Sequence, residues 1–425
     1  MQRFLFRRVA AGLALLAVAA GIPRNGRAQD TVAAPTTQPL TRGAAVDLAL
    51  SQGSQAALAA ATARASDASL ARAGAFANPT LNTSYSKAVP QYHAIVNLPL
   101  DFLTARSLRV ASARSARSAA HEQLALDRAL VALLVDTLYT RATTAAAHAT
   151  LSKRDAIDAD SLLVMARIRQ EAGDASELDV ELARVNAGQA DNAAAADSLA
   201  YTAALLDLQS VLGFPTQAVT LVLADSVGTG PVDSLASARG GGRVSSGTAL
   251  SVAVAEQELD AADRSIALER RSIWNGLSLT AGVENHDPTG AERGLLPTVG
   301  VSIPLPLLNQ GHGDIAVAEA TRDHARAALE LARRESAAAV SQTQRALQGA
   351  AARVARDRTL VTSAEHVARM ALRAYAEGAY ALAAVLEAQH NARAALAQLI
   401  DDTATAANAA AVLRFYATTI TVPGP

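Results

Sequence analysis

Cysteine is absent from all 425 residues, so the chain can form no disulfide, bind no metal through thiolate and use no thiol nucleophile. It also lacks the cysteine that bacterial lipoproteins acylate, so membrane attachment is expected to work without a lipid. Aromatic residues amount to only 3%, although half of the chain is hydrophobic. Alanine fills most of the apolar positions instead. A compact enzyme core packs larger side chains, whereas long stretches of Ala, Leu, Arg, Glu and Gln favour helix and let neighbouring backbones approach closely. The formal charge of −1 leaves no basic field to collect nucleic acid. Catalytic signatures are missing too: there is no phosphate loop, no Gly-x-Ser-x-Gly elbow and no paired base and nucleophile. The histidines are His93, His121, His148, His286, His312, His324, His366 and His390. No two lie three to five residues apart, which argues against a zinc site built on one helix. Neither a cofactor nor a resident metal is expected.

The one long apolar run is near the start. Arg3, Arg7 and Arg8 form a basic leader, Val9 to Ile22 is apolar, and Gly26, Arg27 and Ala28 surround a cleavage point, the pattern of an export signal over residues 1–28. A membrane-anchoring helix is the alternative, but it needs about 20 apolar residues. Residues 29–40 then read as an N-terminal extension, and the rest of the chain holds no run fit to span a bilayer as a helix.

What the chain does contain is a duplication. Asn97, Leu98, Pro99 and Leu100 lead into a helical run, as do Ser302, Ile303, Pro304 and Leu305, 205 positions later. At the same offset Gly173 matches Gly378 and Val180 matches Val385. The first repeat covers residues 41–220 and the second 248–416, with a tail at 417–425. Between them, residues 221–247 are rich in Gly and Ser and include Gly240, Gly241 and Gly242, which marks a linker. Each half carries a helix, two strands, a very long helix, a glycine break and a further helix. The helices are expected at Thr41 to Ala75, Thr104 to Ala172 and Ser176 to Leu212, then Gly247 to Arg271, Gly313 to Ala376 and Tyr380 to Tyr416. A helix of about 68 residues is on the order of 100 Å long, so it must lie along another, and the glycine breaks fold it back as a hairpin.

The strands alternate with period two. In the first half Leu81, Thr83 and Tyr85 share one face, and Val96, Leu98 and Leu100 alternate with Asn97, Pro99 and Asp101. The second half repeats this with Leu277 and Leu279, then Val299, Val301, Ile303 and Leu305 against Thr298, Gly300, Ser302 and Pro304. Ten-residue strands with one apolar and one polar face fit a transmembrane barrel, lipid outside and water inside; a soluble two-sided sheet is the alternative. Phe76, Phe102 and Trp274 flank the strands at the helical end, while Tyr85 and Tyr92 sit by the opposite turn. Four strands cannot close a barrel, because open edges in lipid leave backbone groups unpaired. Two copies would give eight strands and three would give twelve; the arithmetic does not choose.

The duplicated strand pair, the prolines Pro99 and Pro304 at strand-to-helix entries, and the Gly173 and Gly378 breaks together resemble the TolC-type outer-membrane efflux proteins over Thr41 to Tyr416. The stretch Gly-Asp-Ala-Ser-Glu-Leu-Asp-Val, from Gly173, looks most like the branch serving heavy-metal pumps of the RND type. The resemblance implies a mainly α fold in which long antiparallel hairpins form an α-barrel, below a homotrimeric twelve-stranded β-barrel in the outer membrane. It implies a periplasmic adaptor and an inner-membrane pump as partners. The hairpin tips, with Gly173, Asp174, Ser176, Gly378 and Tyr380, would be the gate. Tyr375 matches a tyrosine used in closure and Asp179 an acidic latch partner. Tyr380 stands where an arginine would complete that latch, so an ionic lock is in doubt, and Ser176 with Asp179 equally makes a capping box. Ala384 replaces one of two acidic constriction residues. Glu387 matches the other, and three copies would form a cation-favouring ring, unless it is simply a solvated helix residue. Asp155, Asp158 and Asp160 read as an exposed helix face. The competing function is a periplasmic coiled-coil adaptor or structural spacer.

Overall fold

The computed structural model describes residues 39–87, 90–101, 105–216, 221–226, 248–285, 294–417 and 419–420. The export signal, most of the linker and Phe102 lie outside these residues. The order of elements is α1 (Arg42–Gln52), α2 (Ser54–Gly74), β1 (Thr80–Tyr85), β2 (Tyr92–Pro99), α3 (Arg106–Glu171), α4 (Glu177–Leu212), β3 (Thr248–Ala249), α5 (Leu250–Ser272), β4 (Ser278–Asn285), β5 (Leu296–Ser302), α6 (His312–Ala376), α7 (Leu382–Ala417) and β6 (Thr419–Ile420). The same plan thus appears twice, as the duplication predicts.

With 66 residues in α3 and 65 in α6, each of these helices is roughly 100 Å long, and each packs along a 36-residue partner, α4 or α7. Their contact surfaces are built from small side chains. Ala159, Ala166, Ala183, Ala187, Ala371 and Ala388 are buried in one cluster with Leu162, Val180, Leu382 and Val385, drawing on all four helices. Alanine gives good helix propensity and a close approach at once, which accounts for the scarcity of aromatics.

The first helix is broken, contrary to the expectation of one helix from Thr41 to Ala75. Gly53 is extended (φ −65°, ψ 138°) between α1 and α2. A Cβ there would lie 2.3 Å from the Ala49 carbonyl oxygen and 3.0 Å from that of Val211 in α4, so only glycine lets the chain turn here tight against the end of that helix. Thr41 caps α1 by accepting the Ala44 N–H at 3.3 Å. At the other end of the unit, Arg106 donates to the Gly74 carbonyl at 2.7 Å and Arg109 to the Ala73 carbonyl at 3.1 Å, covering carbonyls that the end of α2 leaves free.

Midway along the molecule a buried knot ties separate segments together. The Tyr139 hydroxyl lies 2.8 Å from the Leu40 carbonyl and 2.8 Å from Asp225 Oδ2, and burial, followed by the hydrogen bond to Asp225, pushes its pKa up to about 12. Arg42 stacks over the Tyr139 ring at 5.1 Å and donates to Thr140 Oγ1 at 3.0 Å. Leu40 bridges Leu223 in parallel, and β3 pairs antiparallel with β6, so each end of the described chain is tied to one flank of the linker.

A second polar cluster joins α6 to α7. Arg353 Nε donates to Asp402 Oδ1 at 2.7 Å and Gln398 to Asp402 Oδ2 at 3.1 Å, while one oxygen of Asp357 is buried next to them. Burial, then the hydrogen bond and charge of Asp402, hold the Asp357 carboxyl above the usual carboxylate range, against Arg356 and Arg353. For Asp402 burial also pushes upward, but hydrogen bonds from Arg353, Gln398 and Asp357 outweigh it and leave the group low. The raised Asp357 therefore contributes stability that is complete below an unfolded carboxylate's pKa of about 3.9 and is lost as pH rises through its folded value. Asp357→Asn retains a donor toward Asp402 without a titrating proton. Its melting temperature in detergent should exceed the parent's at pH 8, with the gap closing toward pH 4; a lower melting temperature at pH 8 would refute the pairing.

Candidate functional site: the strand face and the hairpin turns

The four long strands form one antiparallel sheet in the order β1-β2-β4-β5, so the strand pairs of the two repeats meet at β2 and β4. Register sets Leu81 beside Val96, Ala281 and Val299, and Leu98 beside Leu279 and Val301. These side chains are on the open face: Val299 is 76% exposed, and Leu81, Val96, Leu98, Leu279 and Val301 are exposed as well. On β2, β4 and β5 the polar face is the more enclosed one, with Asn97, Thr280, Thr298, His93 and Glu284 half-buried, whereas β1 is exposed on both faces. On the polar face, His93 Nδ1 lies 3.3 Å from Glu284 Oε1. Ile95 departs from the alternation by facing this polar side, where it fills the space of Gly282; a Cβ there would lie 2.9 Å from Ile95 Cγ1 and 2.7 Å from the Ala94 carbonyl oxygen.

The strands are shorter than the alternation suggests. Leu100 and Leu277 fall just outside β2 and β4, although the Leu100 N–H donates to the Leu277 carbonyl at 2.8 Å and prolongs the ladder by one bond. Both are half-buried. Ile303 and Leu305 lie beyond β5 and are exposed. Pro99 ends β2, a place where its missing N–H does least harm. Pro304, by contrast, is not at a direct strand-to-helix entry, since α6 begins only at His312.

At the far end of the helices, both hairpin turns close in the same way. The Gly173 N–H donates to the Gln170 carbonyl (3.0 Å) and Asp174 to Arg169 (2.8 Å); Gly378 donates to Tyr375 (3.0 Å) and Ala379 to Ala374 (2.8 Å). With φ of 82° and 78° the two glycines occupy the left-handed position of a Schellman turn, which a side chain would strain. Ser176 and Asp179 complete a capping box on α4: the Asp179 N–H donates to Ser176 Oγ at 3.2 Å, and the Ser176 N–H to Asp179 Oδ2 at 3.1 Å. The carboxylate of Asp179 is thereby engaged within its own turn. Tyr380 is half exposed and offers no cation to it.

The residue that joins the two turns was not singled out in the sequence. Arg169 of α3 donates through Nη1 to the Tyr375 carbonyl of α6 and through Nη2 to the Asp174 carbonyl at 3.3 Å, with its guanidinium 4.6 Å from the Tyr375 ring centre. Tyr375 is only 3% exposed. Burial raises its pKa, Arg169 opposes this and Asp179 adds to it. The bare Gly378 leaves room beside the arginine, since a Cβ would lie 3.5 Å from Nη2. The only hint in the sequence is a basic residue in the last turn of α3, favourable to any helix end, whose counterpart in the second repeat is Ala374.

Further up α7, Glu387 is exposed and accepts from Asn391 Nδ2 at 3.3 Å, and Ala384 is half-buried. Asp155 corrects the expectation of an exposed acidic face. It is half-buried and paired with Arg393 of α7 at 2.7 Å, with burial raising its pKa against that arginine, whereas Asp158 and Asp160 are exposed. Near the turns, apolar stripes stay open at helical spacing: Ile157, Val164 and Ile168 on α3, Leu178, Leu182 and Val185 on α4, and Leu360, Val367 and Met370 on α6. Among the described residues no three His, Cys, Asp or Glu side chains gather to hold a metal, and no helix is long and apolar enough to cross a membrane.

If Arg169 fastens the second turn to the first, Arg169→Ala should speed hydrogen exchange at the Gly378 and Ala379 amides about tenfold, the value of one charged hydrogen bond and one cation–π contact. Arg169→Lys should recover only part, for want of the planar fork. Unchanged exchange in both variants would refute the clamp.

Residues 247–418 match the family model described as outer membrane efflux protein. By sequence, no curated protein matches the chain. Solved structures match over nearly its full length at low identity. The outer membrane protein VceC of Vibrio cholerae is 14% identical with a TM-score of 0.72, covering 89% of this chain and 96% of that one. CusC, in a study of folding and transmembrane channel formation, is 17% identical with a TM-score of 0.73, covering 89% and 92%. The CmeC outer membrane channel of Campylobacter jejuni is 15% identical with a TM-score of 0.72, covering 88% and 85%. At such identity the likeness shows the fold alone, one that is shared with outer-membrane channel proteins. Residues 247–418 therefore match the outer membrane efflux protein family, and nearly the whole described chain shares its fold with outer-membrane channel proteins.

Proposed function

We propose that three copies of this chain form the outer-membrane duct of a tripartite efflux system, taking substrate from a periplasmic adaptor and an inner-membrane pump of the RND type. The observation that carries this reading is the sheet. Its apolar face is open, its polar face is half-buried along β2 and β4, and among the described residues β1 and β5 have a strand on one side only. Lipid suits the open face, but in lipid an unpaired strand edge is costly, so β5 of one copy must meet β1 of the next. Twelve strands leave room for a water-filled pore, whereas eight would be filled by side chains. Neighbouring copies would likewise cover the apolar stripes of α3, α4 and α6 near the turns. The alternative of a soluble coiled-coil spacer leaves the open strand face without a purpose.

In this reading residues 1–28 direct export, and 41–220 and 248–416 are the two structural repeats, joined by the linker 221–247. The turns at Gly173 and Gly378 form the periplasmic tip that meets the adaptor. Closure relies on Arg169 holding Tyr375, in place of an ionic latch from Asp179 to residue 380. Three Glu387 carboxylates around the axis favour cations. Heavy-metal cations as cargo are supported by that ring and by the sequence around Gly173. The chain itself supplies no energy for transport.

Two measurements test the proposal. In planar bilayers the protein should conduct, and Arg169→Ala should raise the fraction of time spent open. Because the chain has no cysteine, single variants report cleanly. Thr298→Cys, on the enclosed face, should react with a charged maleimide in reconstituted protein, and Val299→Cys should be protected. Equal labelling at both positions, or a protein that conducts nothing, would overturn the duct.

A further inference from the structure

The segment between β5 and α6 is longer and more apolar than its counterpart in the first repeat, with Pro306 where that repeat has Asp101. From the end of β2 to the start of α3 only residues 100–105 intervene, and Asp101 is already ion-paired to Arg109 at 2.9 Å. From β5 to α6 the connection is residues 303–311, and its first six are Ile-Pro-Leu-Pro-Leu-Leu. The outward alternation of β5 continues through it. Val299, Val301, Ile303, Leu305 and Leu307 are exposed, the two prolines between the last three are half-buried, and Leu308 is fully exposed.

We propose that Ile303–Leu308 is a lipid-contacting skirt, immersed in the periplasmic leaflet where the barrel meets the helices. The inference rests on the outer-membrane duct proposed above and adds a surface below the strands. Height gives the first argument. The seven residues of β5 span roughly 23 Å along the strand, or about 18 Å across the bilayer at a tilt of ~40°, short of the apolar band of about 25 Å that such barrels present. The outward side chains at 303, 305 and 307 carry the apolar surface past the last ladder pair.

Backbone chemistry gives the second. Irregular chain is costly in lipid because of its free N–H groups. Pro304 and Pro306 have none, and the Leu307 N–H donates to the Leu305 carbonyl at 2.8 Å. The skirt also stops sharply: Asn309, Gln310 and His312 follow, Asn309 Oδ1 accepts the Gly311 N–H at 2.9 Å, and a Cβ on Gly311 would lie 3.1 Å from Ile273. That contact returns the chain to the end of α5, beside the exposed Trp274. Phe76, also exposed, marks the same end of the sheet ahead of β1, under the Arg106 guanidinium at 4.3 Å. Aromatic rings and an arginine at one level are what a headgroup boundary favours.

A neighbouring copy is the competing occupant. Strand alternation decides against it, because a partner strand adds along the sheet edge, whereas these side chains project from its outer face. Trp274 is the single tryptophan of the chain, so fluorescence can be assigned to one site. In a Trp274→Phe background, Leu308→Trp and Leu305→Trp are reconstituted into phospholipid vesicles with or without acyl chains brominated near the headgroup. About a twofold loss of emission is expected at both positions, with none for Leu331→Trp on α6. Blue-shifted emission that brominated lipid leaves unchanged would mean burial against another copy, and red-shifted unquenched emission would mean water; either overturns the skirt. Val299→Trp serves as the reference, since a failure to quench there as well would count against the lipid-facing strand face itself.

Discussion

The sheet has its apolar side open and its polar side enclosed, and the remaining structure follows from that inversion. In water Leu81, Val96, Leu98, Leu279, Val299 and Val301 would each cost on the order of 1–3 kcal/mol of unrealised burial. In hydrocarbon the same residues are at no disadvantage, and it is the strand edges that become expensive. A four-stranded sheet of this kind therefore requires both a bilayer and more strands. Duplication supplies two from each half, and the β2–β4 pairing joins the halves inside one chain. The helices meet a different requirement, and their seams are conventional, buried and apolar.

Alanine makes those seams possible. Its small side chain brings long helices together without the large volumes of a globular core, and what it lacks in buried area is partly offset by length. Specificity then has to come from polar devices placed at intervals. Each has its own level: the Tyr139 knot midway, the Arg353–Asp402–Asp357 cluster between α6 and α7, Asp155 with Arg393 between α3 and α7, and Arg169 at the turns. A uniform alanine seam tolerates sliding by one turn. Buried ion pairs and hydrogen-bonded groups do not, because a shift would strand a charge out of water.

Features with a short period were legible from residues alone. The strands appeared through alternation, the turns through Gly173 and Gly378 at one offset, and the long helices through composition. Glycine shows where legibility ended. At 173 and 378 its role is local, a left-handed backbone. At 53 the role depends on the carbonyl of Ala49 one turn back together with that of Val211, more than a hundred residues away, and composition alone does not betray a break in the helix. The same holds for Arg169, whose partners Tyr375 and Asp174 lie on two hairpins, and for Asp155, which looks like one of three solvated carboxylates until Arg393 of another helix is placed beside it. Strand ends were misjudged at Ile303 and Leu305 because alternation reports which face a residue takes, not whether its backbone is paired.

Carrying both repeats in one polypeptide has a consequence at residue 169. Were the wall assembled from separate identical repeats, an arginine at this position would recur at every hairpin, and the space beside each second-type turn would receive a like charge. Fusion lets the two positions diverge, so that Arg169 faces Tyr375 while Ala374 remains neutral. Every arginine then has a receptor and none a rival. The cost of that arrangement is symmetry: the two hairpins of one chain can no longer be interchanged.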